Sequence, residues 1–274
     1  MTALIEISRP LACLAAASTS LLGSHLSGGA ALDKVAIGAA TTVLLTVAAC
    51  NIVNDISDVT ADAVNRPRRP LTSGRVTGGR ARLGAGLAAA GGLAVARLIG
   101  PTALGVASLF LLAGIAYSVL VKRLGLVAHG WVAAMFGATV VWGGWVAGAI
   151  SPPVWLAGLL VAAFLLPREF LKTLADVDGD RIAGWRTAAL AWGRRTTMNA
   201  IVLAAVGFAA VTTIPVMMGV GGMVYLAGIW AGAVVPLAAI TWWLRLDVES
   251  RLRRAELLTS LLWLPGVAAL WQLG

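Results

Sequence analysis

Residues 35–71 read VAIGAATTVLLTVAACNIVNDISDVTADAVNRPRRPL. The first nineteen, Val35 to Val53, carry no charge, and about 20 such residues suffice for one membrane-spanning helix. Immediately afterwards come Asp55, Asp58 and Asp62, then Arg66, Arg68 and Arg69. An amphipathic surface helix spreads its charges along one face. Here they are gathered at one end of an apolar segment, which predicts a transmembrane helix with a charged terminus.

Working outward, the apolar windows of spanning length, this one included, fall at about 10–30, 36–56, 83–100, 102–121, 127–150, 153–175, 199–220, 223–244 and 256–273. The chain of 274 residues is 59% hydrophobic and 12% charged, with a mean hydropathy of +0.88, a balance foreign to soluble domains. The expected fold class is all-α: a multi-spanning membrane helical bundle of about nine transmembrane helices around a central cavity, with 1–274 as a single domain. The first window opens on Arg9-Pro10 and lacks a small-residue cleavage site, so it reads as a helix rather than a signal peptide. Sixteen of the 21 Lys and Arg residues fall after the second, fourth, sixth and eighth windows. By the positive-inside rule those loops face the cytoplasm of a multi-pass cell-membrane protein. The net charge of +9 is thus explained by topology and anionic headgroups. No soluble basic module suggests a nucleic-acid partner. Cys13 and Cys50 lie in apolar segments without metal-ligand spacing and read as core residues.

Six of the eight aspartates form two clusters: Asp55, Asp58 and Asp62 after the second window, and Asp176, Asp178 and Asp180 after the sixth. Asp33 and Asp247 lie in loops. Asn54, Asp58 and Asp62 are spaced i, i+4, i+8, and Asp55, Asp58 and Asp62 fit i, i+3, i+7. Asp176 and Asp180 are again four apart. On a continuing helix each set makes one polar stripe. Two acidic stripes at one membrane face repel unless cations lie between them. Oxygen-only donors shared with water suit Mg²⁺ bridging to a phosphate-bearing substrate rather than a zinc site or a Ca²⁺ cage. Arg66, Arg68, Arg69, Lys122, Arg123, Arg168 and Lys172 flank the acids in sequence and suit phosphate contacts. The acids are therefore expected to hold metal, the metal a diphosphate, and the apolar segment its greasy tail.

The stretch Asn54-Asp55-Ile-Ser-Asp58-Val-Thr-Ala-Asp62 resembles the NDxxDxxxD motif of the intramembrane prenyltransferase family named for UbiA, and Asn65-Arg66-Pro67-Arg68-Arg69-Pro70 resembles its NRPxRP continuation. Arg168-Glu169, Lys172, Asp176, Asp180, Gly184 and Thr187 are similar to its second, DxxxD-bearing stretch. Arg9-Pro10 and Tyr117-Ser118 followed by Lys122-Arg123 are weaker echoes. The resemblance implies a Mg²⁺-dependent enzyme that ionises an allylic prenyl diphosphate and transfers the prenyl group to a lipophilic, membrane-accessible acceptor. It implies Asp58, Asp62, Asp176 and Asp180 as catalytic residues, with Asn54 and Asp55 joining them as metal ligands. Asn54, Arg66, Tyr117, Lys122, Arg123 and Lys172 are the substrate-binding candidates. A membrane terpene cyclase using the same site is the alternative, because ionisation is common to both. A cation-using transporter fits less well, because the acids cluster at helix ends on one face. Thr173 and His129 depart from the residues common at those places. Trp131, Trp142 and Trp145 are candidates for the cavity wall, where aromatic faces steady a carbocation.

Overall fold

The structure is a computed structural model that describes residues 2–29 and 32–273, with the side chains of Thr2 and Arg123 outside that description. Among the described residues it is all helix, apart from one isolated bridge between Gly221 and Leu273. After a short α1 (Thr2–Ile7) come α2 (Pro10–Leu26), α3 (Lys34–Ser57), α4 (Val59–Asn65), α5 (Gly78–Ile99), α6 (Pro101–Val119), α7 (Leu126–Val146), α8 (Pro152–Ala175) and α9 (Val177–Ile182). The chain continues through α10 (Ala188–Val211), α11 (Ile214–Met217), α12 (Met223–Ile229), α13 (Val235–Leu246), α14 (Val248–Leu261) and α15 (Trp263–Leu270), with a π-helical turn at Trp230–Val234 joining α12 to α13.

Among the described residues, seven helical stretches are long and apolar enough to cross a bilayer: 34–57, 78–99, 101–119, 126–146, 152–175, 188–217 and 223–246. The 17-residue α2 is a shorter apolar helix. These eight match the first eight expected windows. The ninth does not form one helix. Residues 256–273 are divided between polar α14 and apolar α15, which meet at Leu262. Glu256, placed by hydropathy at the start of a span, belongs instead to the charged helix begun by the last basic run.

The distribution of residue sizes is the reverse of a soluble bundle. Ala16, Ala39, Ala96 and Ala103 are buried between helices, whereas Leu83, Leu87, Leu98 and Leu109 are each more than 60% exposed. Lipid solvates leucine as well as a protein core does, so small residues go inward, where they let backbones approach closely. Gly23 and Gly143 show the limit of that approach. A Cβ on Gly23 would lie 1.9 Å from the Val140 carbonyl oxygen, and one on Gly143 the same distance from that of Ser20, so α2 and α7 touch backbone to backbone.

The two aspartates outside the clusters are helix caps. Asp33 Oδ1 accepts the Ala36 amide at 2.7 Å at the start of α3, and Asp247 Oδ1 accepts the Ser250 amide at 3.3 Å at the start of α14. Each offsets an orphan N–H, worth about 1 kcal/mol at such positions.

Candidate active site

Both acidic segments are built by one local device. A long span ends at an aspartate whose backbone leaves helical geometry, and a short helix follows. Asp58 (φ −95°, ψ 1°) separates α3 from α4, and Asp176 (φ −113°, ψ 11°) separates α8 from α9. The expected stripes are therefore interrupted by a bend, but one i+4 bond survives across each: the Asp62 amide donates to the Asp58 carbonyl at 2.8 Å, and the Asp180 amide to that of Asp176 at 2.9 Å. Helical spacing is thus kept across each break.

What joins the two devices is Asn65, which sequence reading passed over as part of a basic motif. Its Nδ2 donates to the Asp176 carbonyl at 2.9 Å and its Oδ1 accepts the Gly179 amide at 3.0 Å. The clamp requires a glycine opposite it. A Cβ on Gly179 would sit 2.3 Å from Asn65 Nδ2 and 2.4 Å from the Ala61 carbonyl oxygen. Thus α4 packs on α9, and the two DxxxD segments meet.

They meet at the mouth of a cavity of about 440 Å³. Asn54, Asp58 and Asp62 line it from one segment, and Asp176 and Asp180 from the other. Asp58, Asp62 and Asp180 are only 4–5% exposed. Buried carboxylates of like charge demand cations, and the chain supplies them. Arg66 Nη1 is 2.8 Å from Asp176 and 3.9 Å from Asp62, so one guanidinium spans both clusters, while its Nη2 reaches Glu256 at 2.9 Å. Arg69 pairs with Asp62 and, at 3.1 Å, with Asp55. Lys122 pairs with Asp58 and lies 4.2 Å over the Trp185 ring. Asn54 Nδ2 donates to Asp58 Oδ2 at 2.8 Å. Arg253 on α14 takes the other oxygen of Asp176 at 2.9 Å. For Asp180 neutralisation is incomplete: burial, then the charge of Asp176, pushes its carboxyl up to about 7.

Of the other candidates, Tyr117 and Lys172 line the cavity, and Lys172 pairs with Glu169. The Arg123 side chain lies outside the described residues. Asp55 is turned toward Arg9 and Arg69. Exposed Asp178 pairs loosely with Arg181 at 3.7 Å. Trp131, Trp142 and His129 line the wall, whereas Trp145 packs on Trp142 with ring centroids 5.6 Å apart. Beside Asn65, sequence reading also missed Trp185 and Glu256 at the mouth; neither stands in a motif, and only the folded chain brings them there. Beyond the mouth the wall turns apolar, with Val43, Ala107 and Phe136 facing the cavity. Along α3, Val43 lies fifteen residues before Asp58, about 22 Å at 1.5 Å per residue.

A membrane bundle with a charged mouth opening into an apolar shaft defines a class: intramembrane enzymes that grip a polar headgroup while its hydrocarbon tail stays in a water-poor interior. The chain belongs to the UbiA prenyltransferase family, whose model matches residues 12–264, and it is a multi-pass membrane prenyltransferase. It is 35% identical over 241 residues to the digeranylgeranylglyceryl phosphate synthase of Methanopyrus kandleri, covering 88% of each chain. It is 36% identical over 237 residues to the synthase of the same name from Hyperthermus butylicus, covering 81% of this chain and 78% of that one. The fold is shared with a UbiA homolog from Aeropyrum pernix K1 (TM-score 0.80, 21% identity, 94% and 96% of the two chains covered). It is shared also with a UbiA homolog from Archaeoglobus fulgidus bound to GPP and Mg²⁺ (TM-score 0.70, 17% identity, 98% and 99% covered).

Proposed function

We propose that this prenyltransferase acts with Mg²⁺ on an allylic polyprenyl diphosphate and transfers the prenyl group to a lipophilic acceptor that reaches the cavity from the membrane. One observation carries the reading: two DxxxD segments, interleaved with cations, share the mouth of a cavity whose depth is apolar. The relatives named as digeranylgeranylglyceryl phosphate synthases make a geranylgeranyl donor the first to test. We place the mouth at the cytoplasmic face of the cell membrane, because the basic loops share that end of the bundle.

The donor set fits the metal. Asn54, Asp58, Asp62, Asp176 and Asp180 present only oxygen ligands to the cavity, apart from the Asn54 amide nitrogen. Among the described residues no three His, Cys, Asp or Glu side chains form a metal-holding cluster of their own. The oxygen donors of the aspartates suit a hard ion completed by water and substrate oxygens. These five residues would hold Mg²⁺, which supplies charge neutralisation to the leaving diphosphate. Asp55, bound to Arg9 and Arg69, is assigned to orienting Arg69.

The protein's own part is electrostatic and steric. As the allylic C–O bond breaks, its electron pair leaves with the diphosphate, and Lys122 and Arg66 stabilise the growing charge more than the ground state. Tyr117, Lys172 and Arg123 are assigned to the same substrate. The apolar wall keeps water from the allylic cation, and Trp131 offers it an aromatic face. The acceptor then forms the new bond to the allylic carbon and loses its proton.

The test is product analysis by mass spectrometry. Purified protein is incubated with geranylgeranyl diphosphate and Mg²⁺, with and without a membrane lipid extract. A prenylated lipid with pyrophosphate, formed only when the extract is present, is the expected result. A cyclic hydrocarbon or alcohol formed without extract would instead make the protein a cyclase.

A further inference from the structure

The apolar shaft ends on a floor. Its deepest wall residues are Ala16 on α2, Thr42 on α3, Ala107 on α6 and Trp142 on α7. Ala16, Ala107 and Trp142 are buried in one apolar cluster with Val43, and the cluster continues below the cavity as Ala39, Ala96 and Ala103. Among the described residues these last three line no part of the shaft. Four helices therefore stop lining it at one level, where the largest of the four closing side chains is the Trp142 indole.

The indole is held in place. Trp142 is 4% exposed, and its Nε1 donates to the Ala39 carbonyl at 3.2 Å, which ties α7 to α3 one turn below Thr42. Trp145 supports the ring from outside the cavity, with centroids 5.6 Å apart. A large flat side chain with two torsions, bonded at its N–H, turns aside with difficulty.

Position along the helices separates this floor from the reacting end. Trp131 stands eleven residues nearer the mouth than Trp142, about 16 Å along α7. Trp131 is thus the tryptophan toward the breaking C–O bond, and Trp142 meets the far end of the tail. Thr42 precedes Asn54 by twelve residues and Asp58 by sixteen, about 18–24 Å of helix. An extended isoprene unit adds four chain bonds of about 1.5 Å, roughly 5 Å in zigzag, so about four units fill the span.

We propose that Trp142 sets the upper limit on the prenyl chain of the donor, by closing the shaft where the fourth isoprene unit ends. The proposal rests on the prenyl transfer argued above. A fifth unit meets a packed layer, and it enters only by displacing the indole or by lifting the diphosphate off its ligands. Truncating the indole leaves a space that a longer tail can occupy.

The experiment uses the full chain in detergent with Mg²⁺. Thermal stabilisation reports binding of the thiolodiphosphate analogues of farnesyl, geranylgeranyl and geranylfarnesyl diphosphate, which carry three, four and five isoprene units. The wild-type protein is expected to bind four units about tenfold more tightly than five. Trp142→Ala is expected to raise the five-to-four affinity ratio about tenfold, with the ratio of kcat/KM values for the two diphosphates following it. Trp131→Ala, a truncation of equal size nearer the mouth, is expected to leave the ratio unaltered. A rise of less than about threefold in Trp142→Ala, an equal rise in Trp131→Ala, or wild-type binding of five units within about threefold of four overturns the stop. Should Trp142→Ala not fold, Ala107→Leu raises the floor from α6 and is expected to lower the four-to-three ratio about tenfold, and a fall of less than about threefold overturns the proposal. If no analogue stabilises the wild-type protein, the prenyl-transfer reading fails and the stop with it. Unchanged ratios with binding intact remove the stop alone and leave prenyl transfer standing.

Discussion

At the scale of single residues, the site depends on carboxylates held close together and on the groups that hold them. Asp58 accepts from Asn54 and Lys122, and both carboxylate oxygens of Asp176 are engaged by arginines. Asp58→Asn or Asp176→Asn keeps the volume and removes the charge. Either is expected to lower turnover by far more than about tenfold, which is roughly 1.4 kcal/mol of barrier, with the folded, detergent-stable protein retained. A steady-state assay beside a size-exclusion profile checks both halves of the statement. Gly179 makes a different prediction. Because a Cβ there would meet Asn65 and the Ala61 carbonyl inside 2.5 Å, Gly179→Ala must push α9 off α4. The expected cost is about 1–3 kcal/mol of stability, with loss of activity although no charge has changed. Thermal unfolding and turnover measured on one preparation test it, and wild-type values for both would refute the clamp.

At the scale of elements, two long spans each end at a bending aspartate and continue as a short helix carrying a second aspartate one turn on. The repetition explains why spacings of four were readable in the sequence while the bends were not. The i, i+4 pattern is common to straight and broken helices when the i+4 backbone bond is kept. Helix α14 was hidden for another reason. A hydropathy window beginning at Glu256 averages a polar helix end with apolar α15 and reports a span. In the folded chain Glu256 is tied to Arg66, and Arg253 to Asp176, so α14 docks on the cavity mouth. Glu256→Ala is expected to loosen that dock. Hydrogen exchange over 248–261 should quicken while exchange over 35–53 stays slow; an unchanged α14 would mean that apolar packing alone holds it.

At the scale of the whole molecule, the basic loops and both acidic segments share one end of the bundle, and the 147–151 turn lies at the other. With Cys13 and Cys50 replaced by alanine, Asp178→Cys is expected to react with a membrane-impermeant thiol reagent only from the cytoplasmic side. Ile150→Cys is expected to react only from the opposite side. Both positions are exposed, so labelling from the wrong side would reverse the proposed orientation. The outward leucines and inward alanines belong to this scale too, since they are sorted by lipid rather than by water.

The fold class, eight of the helical passages and the acid pairs were determined by local sequence. Hydropathy acts over a single helix length, and a spacing of four is a property of neighbouring turns. Even the capping roles of Asp33 and Asp247 need only residues three positions away. What only the tertiary structure decided is who stands opposite whom. Asn65 reaches Gly179 across 114 positions, Arg66 reaches Glu256 across 190, and Arg168 is left without a carboxylate because its neighbours are engaged elsewhere. Such pairings come from close approach of distant backbones. No periodicity along the chain encodes them, because in an apolar bundle small residues permit many approaches and only the complete packing selects one.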